Sequence, residues 1–220
     1  MLPKWIDLIS VIDFISVGML VSVVALNSLK RIDSCIKAYA ANSWLLATMM
    51  GASAVYLSEP HLYAAALYTI GAKCLVIPYF LRKMARELKI TKETAPYVSG
   101  PVSTMASFAL VGIVYSALSH GITVTGFAQN SLEVAVSIIL ISLFTMILRK
   151  TALTQVIGLL FMENGLFLAG FALTKGMPTL VELGVLFDLI MGVLILGVFL
   201  SQIKKTFVSV DLDRLTNLKG

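Results

Sequence analysis

Long apolar runs separated by short polar breaks set the pattern of this chain. Charged and turn-forming residues cluster at Lys30-Arg31-Ile32-Asp33, Ser58-Glu59-Pro60-His61, Arg82 to Pro96, Arg149-Lys150 and Gly176-Met177-Pro178. The runs between them predict helices over about 6–29, 36–57, 61–82, 101–120, 131–149, 151–174 and 179–202. Each run is near the roughly 20 residues that an α-helix needs to cross the hydrocarbon core of a bilayer. The expected fold is therefore an all-α integral membrane protein of about seven transmembrane helices. Pro60 cannot continue a helix, and Pro78, inside the third run, is expected to kink it.

Composition sharpens this reading. Hydrophobic residues make up 58% of the 220 positions and charged residues 13%, about half the charged share of a soluble domain. Seven spans consume nearly the whole chain and leave no room for a nucleotide-binding or redox domain of ~100 residues. Phosphate-loop, dinucleotide and nucleophile-elbow motifs are absent, so the chain is not expected to be an enzyme by itself. Cys35 and Cys74 belong to no C-x-x-C pair and read as small apolar thiols rather than cluster ligands. His61 and His120 sit at helix ends, and no metal site or bound cofactor is expected. The first run carries Asp7 and Asp13 with no small-residue cleavage site after it, so a cleaved signal peptide is not expected.

The net charge of +5 is a matter of topology, not of nucleic-acid binding. Lys30, Arg31 and Lys37 fall in the first connection. Arg82, Lys83, Arg86, Lys89 and Lys92 fall in the third, Arg149 and Lys150 in the fifth, and Lys204, Lys205, Arg214 and Lys219 in the tail. Only Lys4 and Lys175 face the other way. The positive-inside rule then places the N-terminus outside and the C-terminus in the cytoplasm, in a multi-pass protein of the cell inner membrane.

One lysine is left over. Lys73 lies twelve residues past His61 within an apolar run, or ~18 Å along a helix. That is near the middle of a ~30 Å core. Glu163, twelve residues past Thr151, comes to a similar depth from the opposite surface. Asp188 lies ~14 Å past Thr179 by the same rise. Glu182 is nearer the outer surface of the same helix, Asp13 is part-way into the first helix, and Glu133 is near the outer end of the fifth. Each such charge costs at least ~2.5–3.5 kcal/mol at the centre of a lone helix. Ion pairing or a hydrated interior offsets that cost. Lys73, Glu163, Glu182 and Asp188 are accordingly the candidate proton-translocation residues, and Asp13 and Glu133 are weaker candidates. A purely structural helix lock is the competing reading. Gly184, Gly192 and Gly197 are expected to permit close helix contact.

The segments Val156-Ile157-Gly158-Leu159-Leu160-Phe161-Met162-Glu163-Asn164-Gly165 and Leu180-Val181-Glu182-Leu183-Gly184-Val185-Leu186-Phe187-Asp188 resemble the hydrogenase-4 component E family. So do the tail from Val210 to Gly220 and the piece Lys73-Cys74-Leu75-Val76-Ile77-Pro78. The resemblance covers most of the chain and is strongest from Leu148 onward. It implies a membrane subunit of a complex I-like, group 4 membrane-bound hydrogenase or formate hydrogenlyase-type complex. The last three helices are similar to subunit K of respiratory complex I and to its small counterpart, the C-type component of multisubunit sodium/proton antiporters. This divides the chain into a four-helix region at 1–130 and a three-helix region at 131–220. Of the two buried glutamates in that small protein, the second falls at Asp188. The first falls at Leu160, one turn before Glu163. The nickel-iron centre and iron-sulfur clusters would lie on partner subunits. Antiporter-like, quinone-chamber-like and hydrogenase subunits would be the neighbours, with membrane lipid around them. The alternatives are a member of a cation/proton antiporter complex and a purely structural assembly subunit.

Overall fold

The structure is a computed structural model that describes residues 4–88, 98–121 and 129–174, together with 184, 187, 188, 190–193, 195 and 197. All regular structure among the described residues is helical apart from an isolated bridge residue at Arg31. The helices are α1 (Lys4–Ser28), α2 (Ile32–Leu57), α3 (Pro60–Thr69), a π-helical segment (Ile70–Val76), α4 (Ile77–Glu87), α5 (Gly100–Gly121), α6 (Gln129–Leu148) and α7 (Ala152–Thr174). The described residues between 184 and 197 are helical as well. Glu182 lies outside the described residues.

The breaks fall where the polar residues put them. Ser58 ends α2 in the left-handed region at φ 58°, and Pro60 opens α3 at a position where a missing N–H costs nothing. The α1–α2 turn is held by Arg149. Its Nη2 donates to the carbonyls of Leu26 (2.7 Å) and Leu29 (3.0 Å), and the side chain is buried. Arg149 therefore does more than break an apolar run. It brings a cation to the orphan carbonyls at the C-terminus of α1. Arg149→Met is expected to destabilise the chain by about 2–3 kcal/mol, with Arg149→Lys between it and the wild type. Unfolding of the purified chain in detergent measures this.

Among the described residues, five stretches are long and apolar enough to cross a membrane: Ile9–Ser28, Pro60–Glu87, Gly100–Leu118, Asn130–Leu148 and Ala152–Thr174. The chain reads as a multi-pass membrane protein. α2 is as long as these, but Asn42, Ser43 and Ser53 dilute its apolar character. Those three side chains are buried, because α2 packs against α1, α3, the π segment, α4 and α7. The surface shows the reverse pattern. Phe14, Leu67, Met105 and Ile147 are each more than 70% exposed, while Lys73, Glu163, Asp188, Asn42 and Asn164 are buried. Apolar residues outside and charges inside are what a hydrocarbon solvent demands.

Two expectations need correction. The third helix does not stop at Arg82 but runs to Glu87. Buried Leu81, Met84 and Ala85 keep α4 docked while Lys83, Arg86 and Glu87 face outward. Ahead of Pro78 the helix register widens, and the Ile77 N–H donates to the Ala72 carbonyl, five residues back. A proline ring would clash with the carbonyl four residues before it, and the π register coincides with that point. The glycines of close contact also differ. A Cβ on Gly184 would strike Phe167, but among the described residues nothing approaches Gly192 or Gly197 within 4 Å. The tight pair is α6 with α7. There a Cβ on Gly158 would come within 2.7 Å of Met146, and one on Gly165 within 2.8 Å of Ile138.

Candidate functional site

Three separate helical elements bring one charged residue each to a common point. Lys73 lies on the π segment and is 2% exposed. Its Nζ is 3.1 Å from Glu163 Oε1 on α7 and 3.1 Å from Asp188 Oδ1. Both carboxylates are buried. Asp188 shares a buried stripe with Met191 and Ile195, while Phe187, Ile190 and Val193 face outward. The structure thus gathers Lys73, Glu163 and Asp188 into one triad.

An amide completes the shell. Lys73 Nζ donates to Asn164 Oδ1 at 3.2 Å, so its three N–H bonds face three oxygen acceptors. Asn164 Nδ2 donates in turn to Asn42 Oδ1 (2.9 Å) and Ser43 Oγ (3.1 Å) on α2. Asn42 Nδ2 donates to Ser22 Oγ (2.7 Å) and the Met19 carbonyl (3.1 Å) on α1. A buried polar chain therefore ties the π segment to α7, α2 and α1. Phe167 lies beside the ammonium, its ring centroid 6.0 Å from Nζ. The amides escaped sequence reasoning because a neutral side chain in an apolar run raises no charge alarm. The one signal was Asn164 standing directly after Glu163.

Charge counting sets the chemistry. Two carboxylates and one ammonium, all ionised, would leave a net negative charge in a low-dielectric interior. The neutral form of the triad carries one carboxyl proton. Among the described residues, nothing donates a hydrogen bond to Glu163 Oε2.

Asp13 and Glu133 belong elsewhere. Asp13 is partly exposed and accepts from Asn130 Nδ2 (3.0 Å) and Ser131 Oγ (2.7 Å). Ser16 Oγ donates to Ser131 Oγ (3.0 Å). Glu133 is buried on α6. On α1 this group comes nearest the polar chain of the triad through Ser16, about one helical turn before the Met19 carbonyl. Among the described residues no three His, Cys, Asp or Glu side chains converge as metal ligands would. Cys35 and Cys74 are buried and unbridged, on α2 and the π segment.

No known family model matches the chain, and no solved structure matches it. Curated proteins do. An uncharacterized protein of Mycobacterium tuberculosis is 27% identical over 216 residues, covering 94% of this chain and 96% of that one. Hydrogenase-4 component E of Escherichia coli is 24% identical over 183 residues, covering 83% of this chain and 85% of its own length. The Shigella flexneri protein of the same name matches equally. With its buried lysine–dicarboxylate triad among apolar helices, the chain is a membrane protein distantly similar to hydrogenase-4 component E.

Proposed function

We propose that this chain is a membrane subunit of a complex I-like, group 4 hydrogenase-type complex, and that it relays protons through Lys73, Glu163 and Asp188. The carrying observation is the triad itself: a buried ammonium held 3.1 Å from each of two buried carboxylates. Distant likeness to hydrogenase-4 component E supports the placement in such a complex. Seven spans, an outer N-terminus and a cytoplasmic C-terminus in the inner membrane complete the reading. Residues 1–130 form the added four-helix region and 131–220 the part resembling subunit K. Glu182 is the outer connection of the relay, with Asp13 and Glu133 as secondary groups. Nickel-iron and iron-sulfur chemistry belongs to partner subunits, and this chain bridges the antiporter-like and quinone-chamber-like ones.

The relayed ion in this reading is the proton. A metal cation would compete with the Lys73 ammonium for the same oxygens, and that ammonium is tethered in place by the backbone. The assembly reading treats the triad only as a lock between helices, and the antiporter reading removes the redox partner.

Purification of the tagged full chain from its native membrane is the test. A nickel-iron large subunit among the recovered proteins is the expected result. Antiporter subunits alone would move the chain to the antiporter reading, and recovery of the chain by itself would overturn membership of a complex.

A further inference from the structure

The triad is buried, and the way protons would reach it is a separate question. On the α2 side the polar chain runs through Asn164 and Asn42 to the Met19 carbonyl and Ser22. Amides have no readily released proton, so this branch orients Lys73 but makes a poor conductor. Another side differs. A cavity of about 10 Å³ lies against the triad, and its lining includes Tyr68, Thr69, Lys73, Phe167 and Asp188. That is room for about one water molecule, with a charged wall to hold it.

Of the polar residues in this lining, Tyr68 reaches furthest outward. It lines the same small cavity as Asp188, and the residue is 36% exposed on the surface of the chain. Thr69 and Asp188 are buried, and the Thr69 hydroxyl is turned to the Ala65 carbonyl (2.9 Å) and Met50 Sδ (3.6 Å). The surface around Tyr68 is apolar, with Leu67 71% exposed next to it. A partly exposed tyrosine in an apolar surface and a buried acid thus line one water-sized cavity.

We propose that Tyr68 is the lateral portal of the triad, passing protons between Asp188, one cavity water and a polar group of a neighbouring subunit seated on this face. The proposal rests on the relay reading. The transfer balances without any net change in the tyrosine. The phenol oxygen accepts a proton from the cavity water, releases its own proton to the neighbour's acceptor, and returns to its starting state by rotation of the O–H. The water is restored by the Asp188 carboxyl, which becomes carboxylate paired with Lys73. Running the steps in reverse loads the triad.

The test uses the native complex reconstituted in liposomes. Tyr68→Phe keeps the ring and removes only the hydroxyl. Driven proton translocation is expected to fall about 100-fold, the lower range for loss of a positioned proton-transfer group, with the complex recovered in wild-type amounts. Tyr63→Phe, at an exposed tyrosine five residues earlier, is the control and is expected to translocate as the wild type does. Equal translocation by Tyr68→Phe and wild type, while Glu163→Gln abolishes it, would overturn the portal alone. Survival of translocation in Glu163→Gln and Asp188→Asn as well would overturn the relay itself, and the portal with it. An equal loss in Tyr63→Phe would also overturn the portal, because the effect would then not be specific to position 68.

Discussion

Replacing Lys73 by methionine will cost the folded chain about 3–5 kcal/mol, the range found when one partner of a buried ion pair is removed. Methionine matches the length of the lysine stem, so packing changes little. What changes is charge. Glu163 and Asp188 would face each other with no cation between them, and Asn164 would lose the donor its oxygen accepts from. Both acids must then take up protons or leave the interior. Loss of the chain from the membrane, or a matching drop in resistance to denaturation in detergent, is the expected measurement. The rescue is equally specific. Adding Glu163→Gln and Asp188→Asn to Lys73→Met removes the uncompensated acids and should recover most of the lost stability. A Lys73→Met chain as stable as wild type would show that the ammonium does not hold the three elements together.

The meeting of these residues is partly legible in the sequence. A lysine or an acid deep in an apolar run is expensive, so Lys73, Glu163 and Asp188 stand out individually. Helix breaks are legible for a similar reason: Lys30-Arg31, Ser58 to Pro60 and Arg149-Lys150 are too polar or too stiff to continue a span. The end of the third helix is not, because Arg82, Lys83 and Arg86 look like loop residues in a count of charges. Leu81, Met84 and Ala85 hold that segment helical from its other face. The π register at Ile70–Val76 is also hidden. A proline announces a disturbance, but not whether the helix bends or widens. Glycine contacts depend on which face meets a neighbour, and one run of apolar residues does not reveal that. Hence the close contacts of Gly158 and Gly165 were missed.

Removing one acid should behave in the opposite way from removing the lysine. Glu163→Gln leaves Lys73 paired with Asp188, a neutral pair within the same shell of Asn164 and Phe167. The fold should therefore survive, and the complex should assemble in wild-type amounts. The proton-holding capacity is gone, however. In the wild-type triad the second carboxylate is what allows one proton to be gained and lost while Lys73 stays paired. With a single carboxylate left, protonating it would abandon a buried ammonium, which costs several kcal/mol. Driven proton translocation by the native complex in liposomes should fall by about 100-fold or more. Asp188→Asn should give the same result by the same count, leaving Lys73 with Glu163. The asymmetry between the lysine and the acids separates a relay from a lock. A triad that only fastened helices together would lose little in either acid variant and would keep its coupling. Unchanged translocation in both Glu163→Gln and Asp188→Asn would leave the triad a structural clasp.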